Sequence, residues 1–315
     1  MKENPAISIV VPVYNEEDNV ELLYHKIHQA CSLLGASYEI IIVDDGSRDR
    51  TFEILANIHK KDPSVKVVRF RKNFGQTAAM AAGFEHANGE LIVSMDGDLQ
   101  NDPADIPKLL AKLREGYDVV CGWRKNRKDK LISRKIPSIA ANWLIGRVTG
   151  VHIHDNGCSL KAYRASTIKK VVLYGEMHRF IPAMATLTDA RIAEIVVNHH
   201  PRRFGTSKYG IGRVWRVALD IVTIKMLSGF SSRPAIWFGL FSFPWLVLAV
   251  AALLAAINLY YSSPLSEWFV TFTVSFLFSF LAAHLVALGM IGELFMRAAD
   301  SAPRKTLGSV TVLEA

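Results

Sequence analysis

Short apolar runs alternate with segments of helical periodicity between Ile7 and Cys121. The runs predict β-strands, and the segments between them, in which apolar residues recur every three or four positions, predict helices. The predicted strands are Ile7–Val13, Glu39–Val43, Lys66–Phe70, Leu91–Met95 and Asp118–Cys121, and the predicted helices are Glu17–Leu34, Arg50–His59, Gln76–His86 and Ile106–Arg114. This order predicts an α/β fold with a doubly wound, mostly parallel sheet.

A different pattern begins at Ala235. Residues 235–261 and 268–292 contain no Asp, Glu, Lys or Arg, and His284 is the one ionisable group in the second stretch. Helices of these lengths can cross a hydrocarbon core of about 30 Å. The sequence therefore predicts two transmembrane helices joined by a tight hairpin at 262–267, with a pair of buried helices in a soluble core as the alternative.

Lys and Arg residues flank the two stretches on their outer sides and are absent from the hairpin. This distribution predicts that the N-terminal domain and both termini face the cytosol. We expect a cytosolic domain over 1–211, a juxtamembrane amphipathic helix over 212–234, the hairpin over 235–292 and a cytosolic tail over 293–315. The tail is expected to be polar and poorly ordered.

The chain has a net charge of +8, and its cations concentrate in residues 121–135 and 201–234. Anionic lipid headgroups attract such clusters. No nucleic-acid-binding motif accompanies them, so no nucleic-acid partner is expected. The three cysteines have no CxxC spacing, which argues against a disulfide framework or a zinc cage.

Carboxylates follow the second and fourth predicted strands, at Asp44, Asp45, Asp96 and Asp98. In a parallel sheet, ligands bind at the carboxyl ends of the strands. Two aspartates separated by one glycine can hold Mg²⁺ or Mn²⁺, with Gln100 as a third oxygen ligand and a diphosphate in the remaining positions. The alternative is ordinary turn chemistry. Neither a P-loop nor a GxGxxG motif is present, so any nucleotide is held in another way.

Four segments carry a resemblance to a known family: SIVVPVYNE (Ser8–Glu16), IVDDGSRDRT (Ile42–Thr51), NFGQTAA (Asn73–Ala79) and MDGDLQNDP (Met95–Pro103). The region from Ala6 to Tyr209 resembles the family 2 inverting glycosyltransferases, which implies a GT-A fold. With its two apolar stretches, the whole chain resembles the polyprenyl-phosphate glycosyltransferases, especially the bactoprenol glucosyltransferases and, more distantly, the dolichyl-phosphate mannose synthases.

The resemblance implies roles for individual residues. It assigns nucleotide-sugar binding to Pro12, Tyr14, Glu16, Asp44, Asp45 and Asp96, and metal binding to Asp96, Asp98 and Gln100. It assigns catalysis to Asp98, Arg124 and Asp155, and binding of the acceptor phosphate to Arg124, Arg202, Arg203 and Lys208. A polyprenyl phosphate is already an anion, so we expect Asp155 to orient the acceptor or the sugar rather than to remove a proton.

The implied reaction is transfer of one hexose, expected to be glucose from UDP-glucose, to polyprenyl phosphate at the cytosolic membrane face. The QxxRW motif of processive synthases is absent, which favours transfer of a single sugar. Mannosyl or N-acetylhexosaminyl transfer is an alternative within the enzymes, and a non-catalytic lipid-binding protein is the alternative outside them. The resemblance also implies a homo-oligomer.

Overall fold

The computed structural model describes residues 4–125, 142, 145–147, 149–173, 175, 177–201, 234–262, 265–301 and 310–313. The chain forms two compact units. One contains Met1–Ile224 together with Thr306–Ala315, and the other contains Lys225–Lys305.

The first unit is built on an eight-stranded sheet. Its strands are β1 (Ile7–Val13), β2 (Tyr38–Asp44), β3 (Val65–Phe70), β4 (Leu91–Ser94), β5 (Val119–Trp123), β6 (Lys161–Arg164), β7 (Ile192–Val196) and β8 (Val310–Leu313). Its helices are α1 (Val20–Ser32), α2 (Thr51–Lys61), α3 (Gln76–His86), α4 (Ile106–Arg114), α5 (Ala165–Ile168) and α6 (Ile181–Ala185), with short 3₁₀ turns at Pro103–Asp105, Met177–Phe180 and Thr186–Thr188. All five predicted strands and all four predicted helices form, with ends that shift by a few residues at most.

The strand order is β7-β5-β6-β4-β1-β2-β3-β8. Strands β4, β1, β2 and β3 are parallel neighbours, and β5 pairs in parallel with β7. Strand β6 runs antiparallel to both β4 and β5, so β5 has the same direction as β4. The mostly parallel α/β sheet predicted from the sequence is therefore confirmed.

Alternate residues of the central strands enter two apolar clusters, one on each face of the sheet. In β1, Ile9 and Val11 belong to the cluster packed by α1, α2 and α4, whereas Val10 belongs to the cluster packed by α3. Side chains of successive strand residues point to opposite faces, which explains the near-continuous apolar runs seen in the sequence.

Strand β8 corrects the expectation of a poorly ordered tail, because Val310–Leu313 pairs antiparallel with β3 at the edge of the sheet. Strands β6 and β7 were also not predicted. Strand β6 contains Lys161 and Arg164 among its four residues and so shows no apolar run, and the short apolar run of β7 is interrupted by Glu194.

The second unit is a pair of helices, α7 (Pro234–Ser262) and α8 (Leu265–Ser301). Each contains a stretch long and apolar enough to cross a membrane, Pro234–Ser262 and Glu267–Phe295. The helices pack on one another: the Ser275 hydroxyl donates to the carbonyl of Ala249 at 2.8 Å, and a Cβ on Gly289 would lie 2.7 Å from Phe238 Cβ. Close packing at small residues is typical of membrane helices.

The predicted juxtamembrane helix at 212–234 lies outside the described residues except for its last position. The four domain boundaries drawn from the sequence remain predictions.

Candidate active site

The segments that follow β1, β2 and β4 lie side by side, because these strands are parallel neighbours in the sheet. The carboxyl end of β5 lies at the same edge. The backbone continues the contacts beyond the strands, since the amide of Asp45 donates to the carbonyl of Val13 at 2.9 Å. The residues predicted from the ends of these strands are therefore brought to one edge of the sheet.

The loop after β1 is tied to the loop after β2 through Asn15, which adopts a left-handed backbone with φ of 51°. Its amide donates to Ser47 Oγ at 2.9 Å, and its side-chain oxygen accepts from the amide of Arg48 at 2.9 Å. Asparagine tolerates this conformation better than most residues. The sequence analysis did not select Asn15, although an Asn within a polar loop is the expected signal for such a turn.

Two other residues predicted to bind the nucleotide sugar, Pro12 and Glu16, lie at the end of β1 and in the loop that follows it. Pro12 lies in β1 opposite Val43. Glu16 accepts a hydrogen bond from Asn19 Nδ2 at 2.5 Å, and its amide donates to Thr51 Oγ1 at 2.8 Å.

Asp44 and Asp45 hold the loops around them. Asp44 is fully buried, accepts from the amide of Ser47 at 2.9 Å, and places its other oxygen 3.5 Å from Arg69 Nε. Asp45 accepts from the amides of Phe74 and Gly75 at 2.7 and 2.9 Å. Burial raises the pKa of Asp45, against the opposing effect of these two amides.

The loop at 73–76 connects Asp45 to the aspartates after β4. Gly75 has φ of 95°, which favours glycine, and Gln76 begins α3. Gln76 Nε2 donates to Asp96 Oδ1 at 2.7 Å. The loop at 73–76 thus couples the ends of β2 and β4, and sequence reasoning missed the contribution of Gln76.

Asp96 and Asp98 follow β4, as predicted. Burial and, second, the charge of Asp98 raise the pKa of Asp96, while Ser159, Arg124 and Lys161 oppose this rise. The glycine between the two aspartates has a structural reason, because a Cβ on Gly97 would lie 2.7 Å from Val13 Cγ1 and 3.2 Å from the carbonyl of Pro12.

This carboxylate pair fits a hard divalent cation. Two crowded carboxylates repel one another, and a cation removes that repulsion. Among the described residues no group of three or more His, Cys, Asp or Glu side chains has metal-binding geometry. A two-carboxylate set nevertheless suits Mg²⁺, which keeps waters and substrate phosphates as its other ligands. Gln100 remains a predicted third ligand. Its side-chain nitrogen, Nε2, donates to the carbonyl oxygen of His200 at 3.4 Å.

Arg124 and Asp155 form a bidentate ion pair. Arg124 Nε and Nη2 donate to Asp155 Oδ2 and Oδ1 at 2.7 and 2.9 Å, and both side chains are nearly buried. Burial alone raises the pKa of Asp155, but the hydrogen bonds and charge of Arg124 hold the pKa below its usual value. Asp155 is therefore a carboxylate fixed in direction and poorly suited to accept a proton.

Lys161 is a buried cation within the same cluster. Its ammonium donates to the carbonyl of Asn156 at 3.2 Å and to the carbonyl of Cys158. Its charge also favours the ionised forms of Asp96 and Asp155. Lysine is almost never fully buried unless it is paired, so nothing in the local sequence singled out Lys161.

Glu194 of β7 supports Asp155 from the other side. It accepts from the amide of Asp155 at 3.1 Å and contacts His154 Nδ1 at 2.7 Å. The ring of His154 stacks on Trp123, with ring centroids 4.3 Å apart. The sequence analysis did not find Glu194, because β7 itself was not predicted.

A cavity of about 350 Å³ opens beside the ends of β1, β2 and β3. Its lining residues are Tyr14, Gly46, Ser47, Arg48, Arg69, Phe70, Arg71, Lys72, Asn73 and Thr311. Four of them are cations, so the cavity favours an anionic ligand. Its size is at the lower end of the range of small-molecule sites.

The remaining predicted residues, Arg202, Arg203 and Lys208, lie outside the described residues. His178 is buried and bonds to Thr77 Oγ1 at 2.7 Å.

The structure resembles solved glycosyltransferase structures in fold. Glucosyl-3-phosphoglycerate synthase from Mycobacterium tuberculosis, in complex with Mn²⁺, UDP and phosphoglyceric acid, matches with a TM-score of 0.54 and 20% identity, covering 71% of this chain and 78% of the other. Mannosyl-3-phosphoglycerate synthase from Rubrobacter xylanophilus matches with a TM-score of 0.55 and 15% identity, covering 71% and 74%. These similarities confirm the predicted GT-A type of fold.

Two curated relatives are more similar in sequence. Dodecaprenyl-phosphate galacturonate synthase from Rhizobium johnstonii is 50% identical over 240 residues, which cover 74% of this chain and 70% of the relative. Undecaprenyl-phosphate 4-deoxy-4-formamido-L-arabinose transferase from Klebsiella pneumoniae is 38% identical over 294 residues, which cover 91% and 87%.

The sequence model described as glycosyl transferase family 2 matches residues 8–172. This span contains the paired aspartates after β4, the Arg124–Asp155 ion pair and Lys161. The resemblance noted from the four motifs is confirmed: the chain belongs to glycosyl transferase family 2.

Proposed function

We propose that this enzyme transfers a single sugar from a nucleoside-diphosphate sugar to a polyprenyl phosphate at the membrane surface, with inversion at the anomeric carbon. Both curated relatives are named for sugar transfer involving a polyprenyl phosphate. The observation that carries the proposal is the position of a basic cavity and a buried Asp–Arg–Lys cluster at the same edge of the sheet, with the loop at 73–76 bonded to Asp45 and to Asp96. The two membrane-length helices suit a lipid acceptor.

The donor nucleotide occupies the basic cavity in this proposal. Tyr14 offers an aromatic surface, Ser47 and Asn73 offer hydrogen bonds, and four cations attract the diphosphate. Asp44 and Asp45 support the cavity indirectly in this proposal. Their carboxylate oxygens contact Ser47, Arg69 and the backbone amides of residues 74 and 75, and so hold these groups in place.

Asp96 and Asp98 hold Mg²⁺ or Mn²⁺ in this proposal, with Gln100 assisting. When bound, such a cation neutralises the diphosphate leaving group. The loop at 73–76 sets the distance between the nucleotide cavity and this carboxylate pair, since it contacts Asp45 at one end and Asp96 at the other.

The acceptor phosphate approaches Arg124 and Asp155. A phosphate monoester is already anionic, so its oxygen can attack the anomeric carbon without a strong base. Asp155, with its lowered pKa and two hydrogen bonds from Arg124, orients the hydroxyl groups of the sugar or, through Arg124, the acceptor phosphate. Arg124, Lys161 and the predicted Arg202, Arg203 and Lys208 offset the repulsion between the two anionic substrates.

The cytosolic orientation is also part of the proposal. Both ends of the helix pair connect to the same globular unit, because Thr306–Ala315 belongs to it. A two-span hairpin returns to the side from which it started, and the positive-inside rule assigns that side to the cytosol. We further propose a homo-oligomer, which cross-linking of the detergent-solubilised protein tests.

Two sugars are candidates. The family resemblance implies glucose from UDP-glucose. The relative that is 50% identical is named for galacturonate, which makes UDP-galacturonate the second donor to test.

The experiment incubates the purified protein with undecaprenyl phosphate, Mg²⁺ or Mn²⁺ and labelled UDP- and GDP-sugars. We expect lipid-soluble label from one donor and its loss with EDTA. Asp98→Asn removes the proposed metal ligand, and Asp189→Asn removes an equal charge at an exposed turn before β7. Loss of transfer in Asp98→Asn alone supports the proposal. Equal activity in both variants would contradict the metal assignment.

A further inference from the structure

Strand β8 is held at the sheet edge by its backbone and its side chains. It pairs antiparallel with β3, with Thr311 opposite Arg69 and Val312 opposite Val68. Val312 packs against the apolar cluster on one face of the sheet, and Leu313 packs against the cluster on the other. This strand follows the helix pair in the sequence, yet it belongs to the globular unit.

Thr311 lies at the basic cavity. Directly opposite residues of an antiparallel pair have Cβ atoms about 4.5–5.5 Å apart and point to the same face. Arg69 and Thr311 accordingly both line the cavity. Arg69 is fixed from its other side, because its Nε lies 3.5 Å from Asp44 Oδ2 and its guanidinium lies 3.9 Å from the ring centre of Phe52.

We propose that β8 is part of the donor-binding site and that Thr311 contacts the nucleoside diphosphate bound in the cavity. This inference rests on the proposed function, which places the donor nucleotide there. The Thr311 hydroxyl both donates and accepts hydrogen bonds, so it suits a ribose hydroxyl or a phosphate oxygen. The part of the chain beyond the helix pair then helps to set donor affinity, although the motifs of the family lie far from it in sequence.

Under this proposal, nucleotide binding and the pairing of β8 with β3 stabilise each other. A ligand that contacts β8 only when the strand is paired stabilises the pairing, and the paired strand strengthens binding by the same factor. An edge strand of four residues has few hydrogen bonds of its own, so its opening is sensitive to such a ligand.

The first test measures UDP binding to the full-length protein in detergent by calorimetry, with Mg²⁺ present. Thr311→Tyr fills the cavity from its β8 wall while keeping a residue that favours strands, and it is expected to raise the UDP dissociation constant about tenfold or more. Thr188→Tyr is the matched control, because Thr188 is exposed in the turn before β7 at the opposite end of the sheet, and this variant is expected to bind UDP like the native protein. Native affinity in Thr311→Tyr would overturn the inference.

The second test uses the native protein, so it does not depend on a variant that folds. Saturating UDP is expected to slow hydrogen exchange at the amides of residues 310–313. Unchanged exchange at these amides, with UDP bound, would also overturn the inference. A native protein that binds neither UDP nor GDP would instead contradict the proposed function, so the two failures are distinguishable.

Discussion

Replacing Arg124 with Met tests the ion pair at the centre of the site. The change leaves the Asp155 carboxylate buried without the guanidinium that donates to both of its oxygens. The side chains of the pair are only 12% and 9% exposed, so solvent screens the loss weakly. Removing one partner of a buried ion pair costs about 3–5 kcal/mol. At about 2–4 °C per kcal/mol for a domain of this size, the unfolding midpoint should fall by about 6–20 °C.

The effect has a defined pH dependence. In the native protein the pKa of Asp155 lies below its ordinary value of about 3.9, so its stabilisation is present above that pH and is lost as the pH falls through the folded-state pKa. In Arg124→Met, burial is opposed only by the backbone amide of residue 124 and the charge of Lys161, so the pKa of Asp155 rises. The variant is then destabilised most at neutral pH. The difference between its unfolding midpoint and that of the native protein becomes smaller as the pH falls towards 5.

The assay is thermal unfolding of the detergent-solubilised protein, followed by circular dichroism at pH 7.5 and at pH 5. Lys112→Met is the matched control, because it breaks an ion pair with Glu115 on the surface of α4 and should leave the midpoint nearly unchanged. The double variant Arg124→Met/Asp155→Asn should recover part of the loss, since neither position of the former ion pair then carries a charge. An Arg124→Met midpoint equal to the native one at pH 7.5 would refute the reasoning.

Three further predictions concern the same unit. Gly97→Ala should abolish most transfer while the protein stays folded, because the new methyl group clashes with Val13 and displaces the flanking aspartates; a transfer assay and a melting curve together check this. Lys161→Met should destabilise the domain by about 1–3 kcal/mol, since two buried carbonyls lose their donor, and equal melting of variant and native protein would contradict it. Burial raises the pKa of Cys158 to about 11, so iodoacetamide at pH 7.5 should label this thiol only after unfolding, as mass spectrometry of the folded and urea-treated protein can determine.

Much of the fold followed from periodicity alone. The strand Ile7–Val13 and the helices Gln76–His86 and Ile106–Arg114 have the predicted bounds, because each buries a continuous apolar run or stripe. Strand β8 was missed because it is a run of only four residues in a tail that was expected to be polar, and its partner β3 lies at the far end of the chain.

In the candidate site, too, some residues could be predicted from local sequence and others could not. Asp96, Asp98, Arg124 and Asp155 were predicted from motifs, and the structure brings them near one another; their roles remain predictions. Lys161, Gln76 and Glu194 act through contacts between segments distant in sequence, so their roles emerge only from the folded chain.

Mass analysis of the lipid product tests the central claim most directly. The native protein is incubated with undecaprenyl phosphate, Mg²⁺ and the donor that transfers label, and the organic phase is examined by mass spectrometry. We predict one product whose mass equals the lipid phosphate plus a single sugar residue. A ladder of products with several sugars, or an unmodified lipid in the presence of a protein that binds nucleotide, would contradict single-sugar transfer to a polyprenyl phosphate.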